Sequence, residues 1–338
     1  MRRAVLPLAE PAAASRDAQG RAITYLRISV TDRCNYRCLY CMPEEGLDWL
    51  PKSQILSYEE IAEIVRQLAP AGIRRLRITG GEPTIRPDLE ILIRYLKEIP
   101  GIEDVALSTN GVKLVERSRP YAEAGLDRVN MSADSLRQDR IVAIARRDLG
   151  FDPVRALRAA QDAGLEPVKV NVVVMRGIND DEVEDFARLT LEHPWHVRFI
   201  ELMPVGDMAT LTWDHVLPSS EVLERCETAL GGLDAADEQP LGNGPAVYYR
   251  GPWARGTIGV ITPMTHTYCG DCNRVRLTAD GRLRTCLFGT HEVSFRDPLR
   301  RGEPILPIFH GALAAKPPEH HLLQMDAGGL KALSQVGG

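Results

Sequence analysis

No apolar run in this 338-residue chain approaches the length of a membrane span. Nor is there an excess of positive charge. Lys and Arg total 41 against 46 Asp and Glu, a net of −5, which argues against a general nucleic-acid binder while leaving local basic patches open. Internal repeats, low-complexity blocks and heptads are missing. With 44% hydrophobic and 26% charged residues, disorder and collagen-like repeats are excluded and a globular chain is expected. Seven cysteines are too few for a disulfide scaffold of this length. All but Cys226 fall in two tight groups, which points to metal chemistry in a reducing compartment, the cytoplasm. Cys226 itself, on an expected helix 219–230, reads as a buried apolar thiol.

What is present is organised as alternating strands and helices. Residues 1–20 are rich in Ala and Pro, with Glu10, Arg16 and Asp17 interrupting them, and read as a disordered leader. Arg2 and Arg3 are followed by too short an apolar run for an export signal. Strands are expected over 25–31, 74–79, 104–110, 128–134, 168–175 and 197–203. Helices are expected over 57–68, 87–96, 152–163 and 180–191. The first opens as a capping box, Ser57-Tyr58-Glu59-Glu60, and the second carries Pro87 in its first turn. Six strand–helix units in a row predict an α/β fold with a parallel sheet, open or curled into a partial barrel over 21–230. The remainder, 231–338, does not supply the two further units of a complete barrel and forms a C-terminal region of its own.

The strand faces carry a physical clue. Arg27 and Ser29 alternate with apolar neighbours, as do Arg77 and Thr79, Asn130, Ser132 and Asp134, and Lys169 and Asn171; the third strand offers Ser108 and Asn110. Side chains alternate between the two faces of a strand, and a polar face is ordinarily a wet one. Parallel strands joined by helices, however, have both faces covered, and a barrel lumen is ordinarily packed with Val, Ile and Leu. Cations there are costly unless they meet a polar ligand. The pattern therefore predicts a lumen of cations and hydroxyls around a large anionic molecule. An open antiparallel sheet with one wet face is the alternative.

The first cysteine group, Cys34, Cys38 and Cys41, is spaced C-x3-C-x2-C directly after the first strand, with no neighbouring fourth ligand. Structural zinc wants four protein ligands, whereas three thiolates on a 4Fe–4S cube leave one iron open to a substrate. A zinc site with a distant fourth ligand is the competing reading. The second group, Cys269, Cys272 and Cys286, has His266 nearby, and its residues leave a zinc ribbon and an iron–sulfur cluster both open. Arg274 and Arg276, on one face if extended, favour a cluster beside a phosphate-bearing ligand.

The first motif resembles the signature of the radical S-adenosylmethionine superfamily, and Gly80-Gly81-Glu82-Pro83 resembles its loop for the methionine moiety. With Val30–Asn35, Arg77–Pro83, Phe199–Pro204, Cys269–Arg276 and the terminal Gly337-Gly338, nearly the whole chain resembles the GTP 3',8-cyclase (MoaA) family of molybdenum cofactor biosynthesis. The resemblance implies a partial six-unit barrel of the TIM type, with a C-terminal extension carrying a second 4Fe–4S cluster. It implies that Cys34, Cys38 and Cys41 hold the first cluster and Cys269, Cys272 and Cys286 the second, whose open iron binds guanine. S-adenosylmethionine is expected to meet Tyr40, Gly81, Ser132 and Met203. GTP is expected to meet Arg27, Arg77, Ser108, Lys169, Arg274, Val275 and Arg276, with Thr109 a rival to Ser108. Hydrogen abstraction by the adenosyl radical and attack on C8 of guanine are implied, with no side-chain acid or base assigned and with Gly337 and Gly338 supporting turnover. The implied partner is the cyclic pyranopterin monophosphate synthase, which receives the product. The electron donor is not implied, and a monomer or homodimer fits equally. A radical S-adenosylmethionine peptide maturase with an auxiliary cluster is the alternative enzyme, and a zinc-binding module the alternative that is not an enzyme.

Overall fold

The computed structural model describes residues 14–203, 211–242, 244–320 and 335. The expected units are present in order: β1 (Tyr25–Ser29), α1 (Tyr58–Leu68), β2 (Arg75–Thr79), α2 (Leu89–Lys97), β3 (Asp104–Thr109), α3 (Leu114–Glu123), β4 (Arg128–Ser132), α4 (Gln138–Ala145), α5 (Pro153–Asp162), β5 (Lys169–Val174), α6 (Val183–Glu192), β6 (His196–Glu201) and α7 (Ser219–Leu230). The local chemistry explains several boundaries. Ser57 Oγ accepts from the Glu60 amide at 3.1 Å while Glu60 accepts from the Ser57 amide at 2.7 Å, completing the capping box of α1. Asp152 caps α5 through the Arg155 amide at 3.0 Å, with Pro153 at the first helical position. Pro87, expected inside α2, instead precedes it, and Asp180–Glu182 forms a 3-10 turn ahead of α6.

The strands β1 to β6 pair in parallel, so the antiparallel alternative is set aside. Their outer face is apolar: Leu26, Ile28, Leu76, Val105, Val129 and Val170 lie within one continuous core under the helices. Burying each such side chain contributes on the order of 1.5–3 kcal/mol. Their inner face is the polar one.

The C-terminal region does more than extend the sheet's surroundings. It continues through β7 (Asp234–Ala235), β8 (Val247–Arg250), β9 (Thr257–Ile261), β10 (Arg274–Leu277), β11 (Arg282–Arg284) and β12 (Glu292–Ser294), then α8 (Arg296–Arg300) and α9 (Leu306–Ala314). The sheet order is β12-β11-β10-β1-β2-β3-β4-β5-β6-β9-β8-β7. β9 joins β6 and β10 joins β1, both in parallel, so the central run holds two parallel strands beyond the six expected. β9 follows α7 only after the antiparallel β7 and β8 intervene, and β10 follows β9 with no helix at all, which is why counting simple strand–helix units missed them. The loop 262–273 must therefore run from the carboxyl end of β9 to the amino end of β10, between the two margins of the parallel run.

Residues 14–20, read from sequence as leader, are folded; residues 1–13 lie outside the described residues. Arg16 bridges to Ala22, the Ser15 amide donates to the Ala71 carbonyl at 2.8 Å, and buried Asp17 binds Arg21 at 2.6 Å. Composition hid this segment because its order comes from a distant neighbour. Gly72 has φ +100, and a Cβ there would lie 2.3 Å from Ala14 Cα. Gly72→Ala is therefore expected to cost at least about 1 kcal/mol, read as a lower urea midpoint, and to speed proteolysis within residues 14–24. An unchanged midpoint and cleavage pattern would contradict this packing.

Candidate functional site

The first cysteine group sits in the loop after β1, held against the loops after β2 and β3. The Gly81 amide donates to Thr31 O at 2.7 Å and the Glu82 amide to Arg33 O at 2.8 Å. A Cβ on Gly81 would stand 2.1 Å from Arg33 O, so only glycine allows this approach. The buried Glu82 carboxylate accepts from Thr84 Oγ1 at 2.6 Å, Thr109 Oγ1 at 2.7 Å and the Asn110 amide at 2.7 Å. Asn110 then donates to Asn35 at 2.7 Å. Burial, with Glu82 and Cys41 nearby, pushes the Cys34 thiol up to about 12. Burial, Asp134 and the other two thiols push Cys38 well up. Thiols raised in this way, at Cys34 and Cys38, ionise readily only beside a cationic metal group.

The second group lies on the β9–β10 loop, at Cys269 and Cys272, and just after β11, at Cys286. Burial works against ionisation of Cys272, yet Arg274 and Lys316 hold its thiol down at about 7. Among the described residues, no three of His, Cys, Asp or Glu converge closely enough to hold a single metal ion. His266 is exposed, and its amide is engaged with Thr262. Each group supplies three cysteines, the donor set of a 4Fe–4S cube with one iron left open.

A cavity of about 280 Å³ opens beside the first group. Cys34, Cys38 and Cys41 line it with Tyr40, Gly81, Ser132 and Met203, and so do Tyr268, Arg274, Arg276 and Leu287, which neighbour the second group in the chain, whereas Cys269, Cys272 and Cys286 themselves do not. Arg27, Arg77, Ser108, Asn171 and Arg198 also face it. The strand registers set Arg276, Arg27 and Arg77 side by side. Burial and the neighbouring arginines lower Arg27 well below its ordinary value, and burial brings Arg77 and Arg276 to about 10. The acids in the lining are engaged. Asp134 binds Tyr40 Oη at 2.7 Å and the Val173 amide at 2.8 Å, and Glu201 binds Thr265 Oγ1 at 2.6 Å. By contrast, the Nε of Arg77 and of Arg198, Asn130 Nδ2, Asn171 Oδ1 and Tyr25 Oη are buried without a partner. Such atoms are costly unless a polar ligand meets them. The arrangement suits a large polyanion with hydrogen-bonding edges.

Most of the predicted site residues thus converge, and two details differ. Val275 turns its side chain into the outer core. Both rivals line the cavity: Thr109 donates its hydroxyl to Glu82, and Ser108 lies 3.5 Å from Arg77. Lys169 is only 2% exposed and lies beneath the chamber, donating to Leu241 O at 2.6 Å and Pro240 O at 3.3 Å. Lys169 does not line the cavity, whereas Gly244 and Pro245, just beyond its carbonyl partners in the chain, do. Gly337 and Gly338 lie outside the described residues. Arg198, Glu201, Tyr268 and Lys316 were not singled out from sequence. Arg198 obeys the same alternation, His196-Val197-Arg198-Phe199, that exposed the other cations; Lys316 left no pattern to read.

Comparison with known proteins agrees with this geometry. A family model for the radical SAM superfamily matches residues 28–190, and one for Molybdenum Cofactor Synthesis C matches residues 195–322. A GTP 3',8-cyclase of Pelotomaculum thermopropionicum is 47% identical, covering 96% of this chain and 100% of that protein. One of Heliobacterium modesticaldum is 46% identical, over 95% and 99%. Among solved structures, Streptococcus suis SuiB bound to S-adenosylmethionine superposes with a TM-score of 0.61 at 13% identity, over 85% of this chain and 65% of that one, a likeness of fold. On these matches the chain belongs to the GTP 3',8-cyclase family, within the radical SAM superfamily.

Proposed function

We propose that this chain converts GTP to (8S)-3',8-cyclo-7,8-dihydroguanosine 5'-triphosphate, the first step of molybdenum cofactor biosynthesis. One observation carries the reading: buried arginines with unpartnered nitrogens share a chamber with an incomplete cysteine trio. Cys34, Cys38 and Cys41 hold a cluster and Cys269, Cys272 and Cys286 hold another. When bound, the first supplies the electron for cleavage of the S-adenosylmethionine sulfonium, and the second offers an open iron to guanine. Tyr40, Gly81, Ser132 and Met203 border the S-adenosylmethionine side. Arg27, Arg77, Arg198, Arg274 and Arg276 hold the triphosphate and nucleoside, with Ser108 supplying a hydroxyl. Fixing both reactants in one walled space replaces a chance encounter and excludes water. The product passes to the cyclic pyranopterin monophosphate synthase. No helix among the described residues is long and apolar enough to cross a membrane.

Anaerobic incubation of the iron-loaded protein with reductant, S-adenosylmethionine and GTP is expected to yield 5'-deoxyadenosine and the cyclised nucleotide; Cys34→Ser is expected to lose both. Failure of the fully loaded parent to make either product would overturn the reading.

Metal analysis of the same preparation is expected to find iron equivalent to two cubes per chain and no zinc, with Cys272→Ala keeping half. Zinc at the second group would remove the second cluster.

Lys169 provides a test by protons. Burial first, then Arg198, Arg128 and Arg77, lower it to about 6, outweighing the two carbonyls that favour its ammonium form. It is therefore mostly neutral at pH 8, and a triphosphate that takes the place of the Pro240 and Leu241 carbonyls at its amine restores the charge. GTP binding at pH 8 is expected to take up about 1 proton more in the parent than in Lys169→Met, measured by calorimetry in buffers of different ionisation enthalpy. Equal uptake in both would take Lys169 out of the triphosphate site.

A further inference from the structure

Beyond α9 the chain runs Ala315-Lys316-Pro317-Pro318-Glu319-His320 across the second cysteine group. Lys316 is 3% exposed. Its Nζ lies 3.7 Å from Cys272 Sγ and 3.2 Å from Arg274 O, and it also donates to Thr285 O. One ammonium thus ties the segment carrying Cys272 to the segment that ends in Cys286. Four residues on, the His320 amide donates to the Cys269 sulfur, and the His320 ring meets Phe288 at 4.9 Å.

The strap is clamped from outside by Arg21. Its guanidinium donates to Pro318 O at 2.8 Å, Pro317 O at 2.7 Å and Cys269 O at 2.7 Å, while Asp17 holds it at 2.6 Å. Two consecutive prolines lack amides and have fixed φ, so their carbonyls stay aimed at this clamp. The folded segment 14–24 and the strap therefore hold Lys316 in one place.

A buried ammonium facing only carbonyls and a neutral thiol is poorly compensated. Facing a thiolate cluster, it is well compensated. Hydrogen bonds to cluster sulfurs and the local net charge are among the factors that set reduction potential. We infer that Lys316 is a positioning residue that gives the Cys272 sulfur a charged hydrogen bond and raises the reduction potential of the C-terminal cluster alone. Gain of one electron there adds negative charge beside the ammonium, so the reduced form is the one stabilised. This rests on the proposal that Cys269, Cys272 and Cys286 hold a cluster.

The test is a redox titration, followed by electron paramagnetic resonance, of the anaerobically loaded full chain and of Lys316→Met and Lys316→Arg. The Cys272→Ala variant identifies the signal of the second cluster. In Lys316→Met, the reduced-to-oxidised ratio of that cluster at fixed potential is expected to fall about tenfold, a ~59 mV drop, with the first cluster unmoved. Lys316→Arg is expected to stay near the parent. If Lys316→Met sheds the second cluster, retention by Lys316→Arg supports the requirement for charge, and equal loss by both overturns it. Potentials unmoved in Lys316→Met, or shifted equally in both variants, also overturn it. A parent with iron for one cube only would instead defeat the underlying proposal, a result the metal content reveals before any titration.

Discussion

Positive charge inside a parallel sheet is the constraint on which the rest of this structure turns. A guanidinium taken out of water is costly, and three of them abreast, at Arg276, Arg27 and Arg77, also repel one another. The fold tolerates this by spending its apolar residues on the outer face and by giving the acids of the chamber other partners. Glu82, Asp134 and Glu201 are each engaged by hydroxyls and amides, so they do not neutralise the arginines by direct pairing within the chamber. The cationic surplus is thereby kept for something that arrives from outside.

Those same acids are also structural ties. Glu82 gathers the loops after β1, β2 and β3 around the first cysteine group. Glu201, at the end of β6, accepts the amides of Met264 and Thr265 at 3.1 Å each, and so moors the loop that bears Cys269 and Cys272. Each cysteine-bearing loop is thus anchored by a buried carboxylate at the carboxyl end of a strand. The arginines of the chamber and the carboxylates that hold the cysteine loops are different residues, which lets a change in one leave the other standing.

Much of this was legible in the sequence because strand alternation and cysteine spacing are local. Arg27, Arg77 and Ser132 could be put on one face by counting in twos. What escaped depends on contacts far apart in the chain. β9 enters the sheet only after the antiparallel β7 and β8, and β10 follows it with no helix between. Residues 14–20 take their order from Ala71 and Gly72. Lys169 satisfies the alternation yet is roofed by residues near 241, so its period was right and its surroundings were invisible. Lys316 follows a helix of apolar character and reaches its partners only because the strap folds back, which no periodicity encodes.

The arrival of β9 and β10 at opposite margins has a consequence for synthesis on the ribosome. Once β1 to β6 have emerged, both of their outer margins present unsatisfied backbone groups, an invitation to pair with another nascent chain. Relief comes only after residue 277 is made, because β10 must cover β1 and β9 must cover β6. The finished margins, β7 with two residues and β12 with three, are too short to template a neighbour. The last third of the polypeptide is therefore also the guard of the first two thirds, and a truncated chain would be the sticky one.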